Sequence, residues 1–121
     1  FFGILGDGRP MLGLPGNPAS AFVCAELFLK PILAAWQGTE AQPRLIQARA
    51  GKAFSANGPR EHWMRARLSH DAGSLIAEPW PDQDSSLVSV FAGADALLRR
   101  QAGAPAVAEG ELVEVLPLAR A

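Results

Sequence analysis

Residues 13–20 read Gly-Leu-Pro-Gly-Asn-Pro-Ala-Ser, and these residue types in this order can build an anion-binding site. The apolar run at residues 11–14 is too short for a helix and predicts a buried strand. Asn17 is a favourable N-cap, and Pro18 suits the first helical position, where its missing N–H costs nothing. The turn would therefore aim free backbone N–H groups and the positive end of a helix dipole at one point, with the Ser20 hydroxyl beside them. An oxyanion such as phosphate, molybdate or a carboxylate is the natural ligand for such a turn.

The same eight residues have a plainer interpretation, in which Gly16 and Asn17 only make a turn and cap a helix. They do not form a nucleotide-binding P-loop, because that loop requires Gly-Lys-Ser/Thr and no lysine lies within reach. General physical chemistry leaves both the anion site and the simple cap open.

The apolar segment from Ala19 to Trp36 predicts a helix that must be covered on several sides. Its charged residues, Glu26 and Lys30, stand four apart with the acid first, which is a favourable ion pair on a narrow solvated stripe. Pro31 cannot donate a helical hydrogen bond, so we expect a kink there or the start of a second helix. These interruptions favour a buried helix over a membrane span, and Gly38 predicts its end.

Beyond Pro43 the sequence changes to short β-rich segments separated by turn residues, which is typical of a small all-β domain. Asp71-Ala72-Gly73 predicts a hairpin turn, and a helical or irregular piece is expected at residues 87–93. Five strands are expected, at residues 44–54, 61–70, 74–80, 94–101 and 111–118, and together they fit a small barrel or sandwich.

The composition excludes several classes of function. The 121 residues carry 11 Lys and Arg against 12 Asp and Glu, and this net charge of −1 argues against a nucleic-acid-binding surface. The single cysteine, Cys24, excludes an intrachain disulfide and a multi-cysteine zinc site, and its apolar setting favours an inert, packed thiol. Two histidines, His62 and His70, are too few for most metal clusters. No secretion signature opens the chain, so we expect a cytoplasmic protein without a membrane anchor.

The residues of the turn, followed by Glu-Leu-Phe-Leu-Lys-Pro-Ile-Leu at 26–33, closely resemble the signature of the MoeA family. This is the family of molybdopterin molybdenumtransferases, whose architecture is shared by the E domain of gephyrin. Residues 59–65 resemble the family's Gly-Arg-x-Glu-Phe-x-Arg segment, with His62 in place of the acid and tryptophan in place of phenylalanine. Residues 87–98 resemble its serine-rich turn, helix and Ala-Asp-Gly-Leu strand, with Ala96 in place of the glycine, and residues 110–116 resemble its closing strand.

The resemblance implies that the chain is a C-terminal piece of a protein about three times as long. Its fold class would then be α+β. Residues 1–40 would form the strand-turn-helix end of a MogA-like α/β domain, and residues 41–121 a small all-β, barrel-like C-terminal domain. The sheet that covers the apolar helix would lie in upstream sequence.

The family's reaction, as the resemblance implies it, inserts molybdate into adenylated molybdopterin and yields molybdenum cofactor and AMP. Molybdate and adenylated molybdopterin would be the substrates, and Mg²⁺ the cofactor, with its ligands upstream of this chain. The full-length protein would form a homodimer and would have a MogA-like adenylyltransferase as a further partner. No nucleic acid and no membrane is expected among its partners.

In that setting the resemblance assigns substrate binding to Pro15, Gly16, Asn17 and Ser20. The Ser20 hydroxyl is the best candidate for a donor to the oxyanion, against the alternative of an ordinary first-turn serine. The catalytic base and the metal ligands would lie upstream, so no residue of this chain is assigned to either role.

Within residues 61–70, Trp63, Arg65 and Arg67 alternate with Met64, Ala66 and Leu68, and this period of two predicts a half-buried strand with Arg65 and Arg67 on one face. Together with Arg60, these arginines admit two interpretations. They could form a basic face that closes over the anionic pterin phosphate, or a solvated outer face whose side-chain stems pack on the barrel. Two other functions also stay open, which are a non-catalytic β-barrel docking module of a MoeA-like scaffold protein and a related pterin- or nucleotide-binding enzyme. The turn at residues 15–18 followed by a β-domain favours the molybdenumtransferase over the related enzyme.

Overall fold

The structure is a computed structural model that describes residues 2–16, 18–39, 44–81 and 93–118. The chain divides into two compact units, the N-terminal unit Phe1–Pro43 and the barrel unit Arg44–Ala121. Together they contain a short hairpin, an interrupted helix and a closed barrel, which confirms the expected combination of a strand-turn-helix with a small β-barrel.

The N-terminal unit begins with a two-stranded antiparallel hairpin of β1 (Phe2–Ile4) and β2 (Pro10–Leu12). Strand β2 lies where the apolar run predicts a strand, but the expectation that this strand is buried is wrong for the described chain, because β2 pairs only with β1 among the described strands and Met11 is exposed. Strand β1 was not predicted. A helical stretch follows in three parts, α1 (Pro18–Cys24), a π-helical turn (Ala25–Leu29) and α2 (Lys30–Trp36). Among the described residues, no helix is long and apolar enough to cross a membrane.

The π-helical turn lies where Pro31 was expected to disturb the helix. The Lys30 N–H donates to the carbonyl of Ala25, five residues back, so the hydrogen-bonding register has widened just before the proline. Helical geometry then resumes, with Pro31 in the first turn of α2. The expected Glu26–Lys30 ion pair spans this turn at 2.8 Å. The expectation of a second helix is therefore confirmed, with a π turn as the junction.

The helix ends just before Gly38, the residue predicted to terminate it. Gly38 has a positive φ of 75°, which glycine adopts without steric cost. The Gln37 and Thr39 N–H groups donate to the carbonyls of Leu33 and Ala34, at 3.0 and 2.9 Å, and so satisfy acceptors of the last turn.

The helical stretch is not covered within the N-terminal unit. No described side chain from 20 to 36 is buried, and Trp36 is 71% exposed. The large apolar side chains exposed along it are those of Phe22, Phe28, Leu33 and Trp36. The sequence predicts a helix covered on several sides, and no described segment of the N-terminal unit provides that cover.

The barrel unit contains five strands, which are β3 (Ile46–Ala50), β4 (His62–Asp71), β5 (Ser74–Pro79), β6 (Ala96–Arg100) and β7 (Leu112–Pro117). They close in the order β3-β5-β4-β6-β7, in which β3 and β5 pair in parallel and the other neighbours are antiparallel. All five predicted strands are present, four of them with shorter bounds and β4 shifted by one residue at equal length. Residues 82–92, which hold most of the predicted 87–93 piece, lie outside the described residues.

Strand β4 closes the barrel by changing partners along its length. Its first half pairs with β6 up to Ala66, and its second half pairs with β5 from Ala66 onward. The β4–β5 connection is the predicted hairpin turn, in which Ala72 and Gly73 have φ values of 50° and 81°. Two positive φ angles in a two-residue loop match the twist of the flanking strands.

The interior of the barrel is built largely from alanine. A barrel of five strands has a narrow interior, so short side chains are required where the strands approach closely. Five partly buried apolar side chains pack against the central cluster, those of Phe54, Met64, Leu68, Leu75 and Val107. That cluster consists of Ala48, Ala50, Ala66, Ala77, Ala96, Leu98, Val113 and Val115.

Candidate functional site

The turn between β2 and α1 has the predicted strand-turn-helix form. Pro15 and Gly16 are exposed, and Ser20 is half-buried in the first turn of α1. Asn17, the predicted N-cap, lies outside the described residues. The assignment of Pro15, Gly16, Asn17 and Ser20 to substrate binding stays a prediction.

The surroundings of Gly16 bear on why a glycine stands at this position. A Cβ atom built at this position meets no heavy atom within 4 Å, and its φ lies outside the left-handed region. Neither packing nor backbone conformation within the described chain therefore requires a glycine here. Close approach of a ligand or of another chain segment to the backbone is a physical reason for a glycine at such a position.

The outer face of β4 carries Trp63, Arg65 and Arg67, as the alternation predicts. The solvated interpretation is wrong for Arg65, which is only 3% exposed. Arg65 is opposite Leu97 on β6, which is fully buried although it points away from the barrel interior. Arg60 and Arg67 are exposed. The three arginines therefore do not form one continuous solvated basic face.

Two arginine–tryptophan stacks lie on the outer face. The guanidinium of Arg67 stands 4.7 Å from the ring centre of Trp80, and that of Arg99 stands 5.7 Å from Trp63. Both distances are within the range of favourable cation–π contacts. Arg99 is also paired with Glu61, with 2.5 Å between Nε and Oε1. Sequence reasoning missed both stacks, because each joins side chains from different strands.

A buried arginine closes one end of the barrel. Arg100 is 5% exposed, and its Nη2 donates to the carbonyls of Ser55 and Pro105, both at 2.9 Å. Its guanidinium stands 4.8 Å from the ring centre of Phe54. Two carbonyls and an aromatic face thus compensate a charge that would be costly to bury alone. The alternation of Ala96, Leu98 and Arg100 along β6 was the signal that could have located this inward-facing cation.

Two polar side chains fix the loops around the barrel. Asn57 Nδ2 donates to the carbonyls of Arg60, Arg100 and Gln101, at 2.8, 3.2 and 2.8 Å. Asp95 Oδ2 accepts from the Leu68 N–H at 2.9 Å, just beyond the point where β4 and β6 cease to pair. Both contacts replace ladder hydrogen bonds where a strand pairing ends.

Histidine and acidic residues do not converge into a metal site in the described part of the chain, where no three His, Cys, Asp or Glu residues are grouped to hold an ion. His62 and His70 occupy opposite ends of β4. Burial, and then the positive charges of Arg65 and Arg100, lower the pKa of His62 below its ordinary value of 6.5.

Comparison with known proteins connects this architecture to one family. The family model described as "MoeA C-terminal region (domain IV)" matches residues 47–118, which is more than half of the chain. The chain is 36% identical over 108 residues to a molybdopterin molybdenumtransferase of Bacillus subtilis, covering 88% of this chain and 25% of that protein. It is 31% identical over 126 residues to molybdopterin molybdenumtransferase 1 of Mycobacterium tuberculosis, covering 98% of this chain and 30% of that protein.

Solved structures agree with the sequence comparison. A molybdopterin biosynthesis MoeA protein from Pyrococcus horikoshii superposes with a TM-score of 0.78 at 27% identity, over 99% of this chain and 29% of that one. A molybdenum cofactor biosynthesis protein from Pyrococcus furiosus shares the fold, with a TM-score of 0.70 over 85% of this chain and 36% of that one. The chain thus spans about a quarter to a third of the length of these relatives. It belongs to the MoeA family and carries the C-terminal region of that family.

Proposed function

We propose that the chain is the C-terminal part of a molybdopterin molybdenumtransferase, which inserts molybdate into adenylated molybdopterin to form molybdenum cofactor and release AMP. Family membership supports this proposal, since the curated relatives carry that name. The observation that carries it is the signature turn at residues 13–20, which connects β2 to the beginning of α1.

In this proposal the turn contributes one wall of the substrate site. Backbone N–H groups at the beginning of α1 and the Ser20 hydroxyl would donate to an oxyanion of molybdate or of the substrate phosphate. Gly16 would allow the ligand to approach the backbone closely. The open space around Gly16 supports this role, because the described chain itself makes no use of the missing side chain.

The remaining chemistry is assigned to the longer protein. The described residues do not by themselves form a Mg²⁺ site, which needs several oxygen ligands around one point. The metal ligands and the base would come from the upstream region, as would the sheet that covers the apolar face of α1 and α2. The exposure of Phe28 and Trp36 supports such a cover. A homodimer and a MogA-like adenylyltransferase partner belong to the same proposal.

The experiment replaces Ser20 by alanine in the complete protein and measures cofactor formation as a function of molybdate concentration. A hydrogen bond to a charged ligand contributes about 1.5–3 kcal/mol, so the apparent KM for molybdate should rise roughly ten- to a hundredfold. Ser69→Ala, on the exposed face of β4, is the matched control and should leave the KM unchanged. Unchanged activity of Ser20→Ala at low molybdate would reject Ser20 as a ligand.

Gly16→Ala provides a second, independent test. The described chain has room for the added methyl group, so thermal stability should be unaffected. A ligand that approaches the backbone does not have that room, so turnover should fall. Unchanged turnover in this variant would favour the plainer interpretation, in which the turn only caps a helix.

A further inference from the structure

A small groove on the outer face of the barrel unit is not used by the proposed turn. We call it the Trp80 groove, and it is lined by Arg67, Glu78, Pro79, Trp80 and Pro81 with a volume of about 210 Å³. Sites for drug-sized ligands typically occupy about 300–1,000 Å³. The Trp80 groove therefore suits one flat ring system better than a whole nucleotide-like molecule.

The cation of the groove is available to a ligand. Arg67 is exposed, stacks on Trp80 at 4.7 Å, and makes no ion pair with any acid in the described ranges. The other stack differs in this respect, since Glu61 neutralises Arg99 there. An arginine held against an indole ring is pre-organised, so little side-chain entropy is lost when it contacts an anion or a further ring.

The carboxylate of the groove stands directly across from this arginine. Glu78 on β5 is paired in register with Arg67 on β4, so both side chains leave the same outer face. Glu78 is exposed, and no ion pair occupies it within the part of the chain that the structure describes. A carboxylate can accept two parallel N–H bonds from one flat donor edge.

These groups are complementary to one kind of ligand. The amino-imino edge of a pterin, or of the chemically similar guanine, presents two parallel N–H donors, and the ring itself stacks on aromatic faces. We infer that the Trp80 groove binds this edge and ring, with Glu78 accepting the two N–H groups, Trp80 packing against the ring and Arg67 facing an attached phosphate. The inference rests on the proposed function, which supplies a pterin phosphate as the substrate class.

Nucleotides of matched size test the inference on the 121-residue chain. GMP carries the amino-imino edge and AMP does not, while ring size and phosphate are the same. The side-chain N–H signals of Trp36, Trp63 and Trp80 are followed by NMR during titration with GMP, AMP and a free pterin. The Trp80 signal should shift with pterin and GMP, and AMP should bind at least tenfold more weakly.

Two variants assign the roles of the groove residues. Glu78→Gln should lower the affinity for pterin and for GMP at least tenfold, because an amide cannot accept both N–H bonds. The variant should also lose the preference for GMP over AMP. Arg67→Gln should lower the affinity for GMP more than the affinity for guanosine, because guanosine lacks the phosphate that Arg67 faces. Glu61→Gln, beside the second stack, is the control and should change neither affinity.

Three outcomes would overturn the inference. The first is a shift of the Trp36 or Trp63 side-chain N–H signal as large as that of Trp80. The second is equal affinity for AMP and GMP. The third is a Glu78→Gln variant that still prefers GMP to AMP. Cofactor formation by the complete protein is measured separately. If that protein forms cofactor and the groove binds no pterin, the inference fails and the proposed function stands. If the groove binds pterin and the complete protein forms no cofactor, the proposed function fails instead.

Discussion

The side-chain amide of Asn57 offers the sharpest test of how the barrel loops are held. Its Nδ2 donates to three carbonyls from two separate segments, at 2.8, 3.2 and 2.8 Å. Its own N–H donates to the carbonyl of Ala104 at 2.9 Å, so the loop is fastened from both sides. An amide has two N–H groups, and each intramolecular hydrogen bond contributes about 0.5–1.5 kcal/mol net. Asn57→Ala should therefore destabilise the barrel by about 2 kcal/mol.

Asn57→Asp should cost more than the alanine substitution, although aspartate has nearly the same shape. The carboxylate would place an acceptor against three carbonyl acceptors, which removes the Asn57 hydrogen bonds and adds charge repulsion. A loss of roughly 3 kcal/mol or more is expected. Gln101→Ala is the matched control, because Asn57 uses only the backbone carbonyl of Gln101. This control should remain within about 0.5 kcal/mol of the parent chain.

Urea unfolding by tryptophan fluorescence measures these differences. A Trp36→Phe background restricts the signal to the barrel, since the other two tryptophans lie there. For a unit of this size the slope is about 1 kcal/mol per molar urea, so Asn57→Ala should lower the midpoint by about 2 M. An aspartate variant as stable as the asparagine parent would refute the reasoning, since it would show that the side chain does not donate to these carbonyls.

Three further predictions concern packing, pH and association. Gly51→Ala should destabilise the barrel by about 1–2 kcal/mol in the same urea assay, because the new methyl group would lie 3.1 Å from two side chains of β5. Gly58→Ala, with nothing within 4 Å, should be neutral. The lowered pKa of His62 means that the native state binds fewer protons than the unfolded chain. Barrel stability should therefore be retained above about pH 6.5 and decline as the pH falls below it. His62→Gln should flatten this dependence, and an unaltered slope would contradict it. Finally, the exposed side chains of Phe28 and Trp36 should cause the 121-residue chain to self-associate, which sedimentation velocity measures. A chain that stays monomeric at high concentration would contradict this prediction.

Local chemistry explains which parts of the fold could be predicted. The hairpin at Ala72-Gly73, the helix end at Gly38 and the disturbance before Pro31 all depend on one or two residues whose backbone preferences are strong. The widened register of the π turn could not be predicted, because proline only forbids one hydrogen bond and does not say how the chain compensates. Strand β1 was missed because its sequence, Phe-Gly-Ile, has a glycine at its centre and shows no continuous apolar run, whereas β2 lies in such a run.

The alternation of side chains along a strand predicted which residues share a face, but it did not predict what packs against that face. It placed Arg65 correctly on the outer face of β4, yet it could not show that this part of the face is buried. The parallel pairing of β3 with β5 was likewise invisible, since it joins segments whose sequences carry no mutual signal. The Trp80 groove depends on the same register, because Arg67 and Glu78 become neighbours only through strand pairing. Sites that arise between strands therefore require the structure, whereas the signature turn is contiguous in sequence.

The two units differ in how far their sites can be studied in this chain. The barrel closes on itself around a buried cluster, so the geometry of the Trp80 groove is set by residues that the chain contains. The helix after the signature turn buries no described side chain, so the chain itself supplies little packing energy to hold that turn in position. Binding to the groove is therefore a fair test in the 121-residue chain. Oxyanion binding at Ser20 is a fair test only where the helix is covered, which requires the complete protein.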